Sequence, residues 1–278
     1  MGLKERLRSH LQEIVRERDA YLATQGHFYV QQYIRQTFSQ WGTAESHELP
    51  VGAKTHSNWL LNLPAQSQVN RPVILIGAHY DTVPGSPGAD DNATGVAVLL
   101  EMARAFYAEP ARHPIRLVAF DFEETAYDRA GSTHYARSLK EQLRLMISLE
   151  MLGYCVSAPN SQTYPTGLKY FYPNQGNFIG LIGNLKSIPD LIHLRRSIRQ
   201  AGVNCEWLPV PNQGKILPLT RRSDHAPFWD RGDRALMITD TADLRNPNYH
   251  KASDRLETLD LDFLTGICHG LITGIRSL

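Results

Sequence analysis

Cysteine is scarce in this chain. Its 278 residues hold three, Cys155, Cys205 and Cys268, odd in number and widely scattered, so neither a disulfide framework nor a CxxC zinc ribbon is available. Long hydrophobic runs are also missing: none approaches the roughly 18 residues that span a bilayer. Met1 to Ala20 is charged and reads as an amphipathic helix rather than a secretory signal. Arg6 stands where a myristoylation signal starting at Gly2 would need Ser or Thr. The expectation is a cytoplasmic protein without a membrane partner. An excess of one charge is lacking too, with 29 Lys plus Arg against 28 Asp plus Glu and a net charge of +1. A nucleic-acid surface usually shows a strong basic excess, so none is expected, and Arg195-Arg196 with Arg199 reads as a solvated helix face. There is no repeat and no low-complexity tract. No Gly-x-Ser-x-Gly elbow, P-loop or Gly-x-Gly-x-x-Gly occurs, which leaves serine-hydrolase and nucleotide-binding readings without an anchor.

What the chain does have is core material. With 42% apolar residues it can build one large α/β domain over 1–278 around a continuous sheet. Helical spacing runs from Leu3 to Trp41, interrupted near Gly26, and recurs at Asn92 to Ala108, Ser132 to Leu143, Leu191 to Gln200 and Leu261 to Ile275. Asp224 to Trp229 reads as a short helix. Strands are predicted at Trp59 to Leu63, Val73 to Ala78, Ile115 to Phe120, Leu145 to Leu149 and Ala235 to Thr239. Short buried strands alternating with helices imply a doubly wound, mostly parallel mixed sheet with helices on both faces. Gly153 to Gly176, rich in Pro, Asn, Tyr and Gly, reads as a long loop of the kind that is usually functional.

Ligands bind such sheets outside the carboxyl ends of the strands. There the chain places five potential metal ligands in order: His79, Asp91, Glu124, Glu150 and His250. Two imidazoles and three carboxylates would serve a pair of zinc ions sharing one bridging carboxylate. Asp81, two residues beyond His79, falls on the same side of an extended strand and could accept its second ring N–H or support the ligands from behind. Asp90 and Asp91 sit in a glycine-rich loop entering a helix; either suits a helix cap or a bridging ligand, and spacing does not separate them. Glu123 and Glu124 are adjacent acids after an apolar strand, so one can ligate while the other takes a proton. Tyr249, beside His250, could donate to an oxyanion. Asp224, in Ser223-Asp224-His225-Ala226-Pro227-Phe228, reads as a helix cap or as a support behind the ligands. His10, His27, His47, His56, His113, His134, His193 and His269 have no acid at ligand spacing and are expected to be structural or surface residues.

At these residues the chain resembles the two-zinc metallopeptidase family that includes bacterial aminopeptidases, glutamate carboxypeptidase and, in altered form, glutaminyl cyclase. The matching motifs are His79-Tyr80-Asp81, Gly88-Ala89-Asp90-Asp91-Asn92, Glu123-Glu124, Glu150-Met151, the Ser223 to Phe228 segment and Tyr249-His250, in family order. The resemblance implies a zinc-exopeptidase-like fold and two zinc ions per chain. It makes Asp91 the bridge, puts His79 and His250 on different zincs, and lets Glu124 and Glu150 complete one each. Glu123 takes the general-base position and Tyr249 that of the oxyanion donor. The sequence departs from the family at Glu150, where Asp is usual, and shows no sign of the insert domain that some relatives carry.

The reading is a zinc-dependent exopeptidase acting on peptides or aminoacyl compounds, foremost an aminopeptidase. Glutaminyl cyclisation is the enzymatic alternative, although such relatives usually carry Trp where Tyr249 stands. A metal-dependent carboxypeptidase is kept in play by Glu150. A metal-stabilised binding protein without activity would show decay of Glu123 or Tyr249, and both are present.

Overall fold

The computed structural model describes residues 1–51, 54–125 and 130–278. Eight strands form one mixed sheet: β1 (Ala44–Val51), β2 (Lys54–Leu63), β3 (Ile74–His79), β4 (Ile115–Phe120), β5 (Leu145–Glu150), β6 (Phe178–Asn184), β7 (Asn204–Val210) and β8 (Ala235–Thr239). Their order is β1-β2-β4-β3-β5-β8-β6-β7. The centre β4-β3-β5-β8 is parallel throughout, β1, β2 and β4 pair antiparallel, and β6 runs antiparallel to β8 but parallel to β7.

The central strands are apolar on both faces because both are covered. Ile74 and Ile76 of β3, with Leu117 and Ala119 of β4, face a layer built from α1 (Leu3–Ile14), α2 (Gln25–Phe38), α3 (Gly95–Ala108), α5 (Ile188–Gln200) and α7 (Leu261–Arg276). The alternate residues Leu75, Val118 and Met146 face α4 (Gly131–Ser138) and α6 (Ala226–Asp230) through Tyr135, Ala136, Phe228 and Trp229. Each wholly buried aliphatic or aromatic side chain contributes about 1.5–3 kcal/mol, so this double burial is what fixes the strand ends in space. The doubly wound, two-faced arrangement is thus the one observed. No helix among the described residues is long and apolar enough to cross a membrane.

The structure differs from the sequence reading in several places. β1, β6 and β7 were not legible, because edge and near-edge strands need no continuous apolar run: β1 reads AESHELPV, β6 carries two glycines and β7 carries a proline. His79 and Glu150 are the last residues of their strands rather than residues beyond them. The helix expected from Asn92 starts at Gly95, preceded by an irregular turn over Ala89–Thr94 in which Asp91 and Asn92 leave helical dihedrals. The helix expected to reach Leu143 stops at Ser138. The break in the N-terminal helical stretch lies between Ile14 and Gln25, not at Gly26.

Gly26 is instead in the first turn of α2, where a Cβ would sit 2.0 Å from the Glu17 carbonyl oxygen. That contact is with backbone and cannot swing aside. Gly26→Ala is therefore expected to destabilise the fold by about 1–3 kcal/mol, the usual cost of overpacking, measured by denaturant unfolding; unchanged stability would show that the two segments are not held in this close approach.

Candidate active site

β3 and β5 are adjacent parallel strands, paired Gly77 to Ser148, so their terminal residues emerge side by side. His79 Nε2 lies 3.5 Å from Glu150 Oε1 and 3.3 Å from Asp91 Oδ1. The other oxygen of Asp91 lies 3.2 Å from His250 Nε2, which is also 3.2 Å from Glu124 Oε2. Asp91 therefore stands between two clusters, one with His79 and Glu150, the other with His250 and Glu124.

Hydrogen bonds turn Asp90 and Asp91 in different directions. Asp90 points away, accepting the Gly153 N–H (2.8 Å) and the Asn246 side-chain amide (2.8 Å). Asp91 is held toward the site by its backbone, because the Asp254 carboxylate accepts the N–H groups of both Asp90 and Asp91 at 3.0 and 3.1 Å. Asn92 pins the same loop to the end of β5, donating to Leu149 O (2.8 Å) and accepting from Met151 N–H (3.0 Å). Beneath it the buried Arg18 guanidinium donates to carbonyls of Ile14, Tyr80, Pro87 and Gly88. Arg18 and Asp254 were not singled out from sequence; Arg18 sits in an ordinary helical pattern, and Asp254 follows His250 in a segment without periodicity.

Glu123 and Glu124 follow β4 and are oriented by Asp81, whose two oxygens accept the N–H of Glu123 and of Glu124, each at 3.1 Å. Asp81 was expected to accept a ring N–H of His79 or to support the ligands from behind. It lies 3.4 Å from Nδ1, but both ring nitrogens of the buried His79 lack a hydrogen-bond partner, as does Glu124 Oε1. Ser223 Oγ donates to Glu150 Oε2 (2.7 Å) and lies 2.8 Å from Ser148 Oγ, which steadies the longer side chain at this position. Asp224 is not a cap, since α6 has no side-chain cap; it is buried behind the ligands, and burial pushes its carboxyl up to about 7. Tyr249 stacks on His250 with ring centroids 3.7 Å apart, and its hydroxyl accepts from Arg222 at 3.0 Å. Phe122, Met151 and His250 adopt left-handed backbone (φ 63°, 50° and 59°), a conformation that costs such residues about 1–3 kcal/mol each and gathers at functional sites.

The electrostatics show what the cluster lacks. Burial raises Glu123 well above the usual carboxylate range, and the charges of Glu150, Glu124 and Asp224 add to this. Burial and the charge of Asp91 push Glu124 up to about 8. Burial should depress His79, yet the charges of Glu150 and Glu123 raise it well above its ordinary value. His250 is likewise carried against burial up to about 10 by Asp91 and Glu124. Asp91, also opposed by burial, is pulled low by its contacts with His250 and His79. This is an acidic site seeking positive charge. The donors fit zinc: ligand atoms about 2.0–2.2 Å from a tetrahedral ion stand about 3.3–3.6 Å apart, and those measured here are 3.2–3.5 Å apart. The partnerless nitrogens of His79 fit the same conclusion.

Two recesses meet at Glu150 and Tyr249. One is polar and bounded by Asp91, Glu123, Glu124, Ser132 and Ser223. The other is apolar, and residues of the expected long loop, Tyr164, Leu168 and Tyr172, form one wall opposite Trp207 and Met237.

Residues 58–185 match the model of peptidase family M28. The chain is 35% identical over 258 residues to the uncharacterized protein YfbL of Escherichia coli, covering 87% of this chain and 77% of that protein. The chain belongs to peptidase family M28. That places it among the zinc-dependent metallopeptidases. It is also 36% identical over 99 residues to the aminopeptidase YwaD of Bacillus subtilis, a match covering 34% of this chain and 21% of that protein. Among solved structures, the LapA aminopeptidase of Legionella pneumophila aligns with a TM-score of 0.72 at 19% identity, over 99% of this chain and 72% of that one. A glutaminyl cyclase of Tannerella forsythia aligns with a TM-score of 0.70 at 18% identity, over 99% and 98%. Both likenesses are of fold.

The carboxylates that raise His79 and His250, and the burial that raises Glu124, favour the protonated forms of all three, so entering zinc has protons to displace. Calorimetric titration at pH 7 in buffers of different ionisation enthalpy is expected to show net proton release on zinc binding, with affinity falling as pH is lowered. Heats independent of the buffer would contradict this picture of the site.

Proposed function

We propose that the protein is a two-zinc aminopeptidase whose ligands are His79, Asp91, Glu124, Glu150 and His250, with Asp91 as the bridge. The observation that carries this reading is the placement of the two Asp91 oxygens, each 3.2–3.3 Å from a different imidazole, with Glu150 and Glu124 on opposite sides. Bound zinc would polarise the scissile carbonyl and lower the pKa of water at the site.

The chain's own residues supply the rest. Glu123, oriented by Asp81 through its backbone, takes the proton of the attacking water and delivers it to the leaving amine. Tyr249 donates its hydroxyl proton to the charge developing on the carbonyl oxygen, and Arg222, which donates to that hydroxyl, leaves its proton free to point at substrate. The substrate's N-terminal ammonium pairs with Glu150 and Glu123. Its first side chain enters the apolar recess walled by Tyr164, Leu168, Tyr172, Trp207 and Met237, which suits a large apolar residue. The three cysteines are free, which accords with action in the cytoplasm.

Glu123→Gln is expected to keep its zinc while turnover falls by about 10²–10⁴-fold, the range for loss of a general base; Glu124→Gln is expected to lose metal. Elemental analysis beside steady-state kinetics reads both, and equal metal loss in the two variants would refute the division of roles.

Acetylation of the substrate's N-terminus is expected to abolish cleavage, and Tyr249→Phe to lower kcat while leaving KM nearly unchanged, since an oxyanion donor acts in the transition state. A panel of free, N-acetylated and N-terminal Gln peptides decides the matter. Cleavage of blocked peptides from the carboxyl end would indicate a carboxypeptidase, and ring closure of Gln without hydrolysis a cyclase.

A further inference from the structure

Two histidines expected to lack acid partners converge on one buried carboxylate away from the Asp91 centre. We propose that His27, His56 and Asp121 form a third metal site that takes a single divalent cation of the zinc class. Each donor comes from a different element: His27 from α2, His56 from β2 and Asp121 from the residue after β4. His27 Nε2 lies 2.8 Å from Asp121 Oδ1, a hydrogen-bond spacing that an entering ion would have to widen, and His56 Nδ1 lies 3.3 Å from Asp121 Oδ2, with all three ligand atoms within 4.8 Å of one another. The exposure of His27, His56 and Asp121 is 5%, 5% and 0%.

One atom points to a ligand. Asp121 Oδ2 is buried with no hydrogen bond of good geometry, His56 Nδ1 standing 3.3 Å away, whereas Oδ1 accepts from both His27 and the Phe122 N–H at 3.0 Å. A buried carboxylate oxygen left bare is costly, and a cation shared with His56 would satisfy it. The donors are held before any ion arrives. Asn58 Oδ1 accepts the Asp121 N–H at 2.9 Å, the His27 ring stacks on Tyr80 at 5.3 Å, and His56 packs edge-on against Phe122 at 4.2 Å. Preset donors lose little freedom on binding.

The donor set selects the ion. Two imidazoles with one carboxylate suit zinc and its transition-metal neighbours, whereas magnesium and calcium prefer oxygen alone. Three protein ligands leave a fourth tetrahedral position for water. The site is not part of the family's matched segment as a unit, because His27 and His56 fall outside residues 58–185. It stands two residues before Glu123 along the chain, so an ion there would tie α2 and β2 to the strand end that carries the proposed base.

The test separates this site from the Asp91 pair. Full-length chain carrying both His79→Ala and His250→Ala, which dismantles the pair, is loaded with zinc, freed of excess by gel filtration and analysed for metal, with circular dichroism verifying the fold. One zinc per chain is expected to remain, and adding His56→Gln or, independently, His27→Gln is expected to remove it. In the otherwise unaltered chain, His56→Gln is expected to lower the zinc content by one equivalent. Retention of no zinc by the folded double variant, or retention that His56→Gln and His27→Gln leave unchanged, overturns the proposal in favour of a site that holds only a proton. Zinc lost with His56→Gln but unaffected by His250→Ala would instead uphold this site and refute the Asp91 pair.

Discussion

Crowding of carboxylates around Asp91 is the constraint on which the site depends. Asp91, Glu123, Glu124 and Glu150 are brought together where the strands end, Asp91 and Glu150 buried and Glu123 and Glu124 partly so, and water screens them poorly there. Like charges this close cannot all ionise unless something positive joins them. Without metal, the upward shifts of His79, His250, Glu123 and Glu124 favour bound protons that offset part of this charge. Two dications would carry as much charge as those four carboxylates, with both imidazoles left neutral to ligate. The pKa pattern and the ligand spacing are thus two views of one requirement.

The scaffold meets the requirement by fixing backbone rather than side chains alone. Parallel β3 and β5 set His79 and Glu150 next to each other, and the covered faces of the sheet leave these ends nowhere to shift. The Asp91 loop is then clamped from three directions, by Asp254 at its N–H groups, by Asn92 to the end of β5 and by Arg18 at its carbonyls. Asp81 performs the same service for Glu123 and Glu124. Ser223 answers the one departure from the family pattern, since its hydrogen bond steadies Glu150 where a shorter acid would be usual. Such outer contacts govern ligand orientation as much as the ligands do.

How much could be read in advance follows from locality. The central strands were legible because burial on both faces leaves an unbroken run of large apolar side chains; β1 and β7, at the edges, carry no such run, and two glycines interrupt that of β6. The long loop at 153–176 was recognisable as a loop, but its part in walling the apolar recess depends on Trp207 and Met237, which lie far away in the chain. His27 and His56 looked ordinary because Asp121 is distant in sequence from both, and only the packing of α2 and β2 against the end of β4 unites them.

By itself, the order of residues determined the α/β class, the central strands and the identity of the acids and imidazoles at their ends, since periodicity and local motifs are properties of short segments. Tertiary structure decided the rest. It turned Asp91 rather than Asp90 toward His79 and His250, made Asp81 a backbone clamp for Glu123 and Glu124, denied Asp224 its helix cap and brought Arg18 and Asp254 beneath the site. The physical reason is that each of these outcomes rests on a hydrogen bond or a burial between elements far apart in the chain, and such pairings exist only once the sheet has closed around its core.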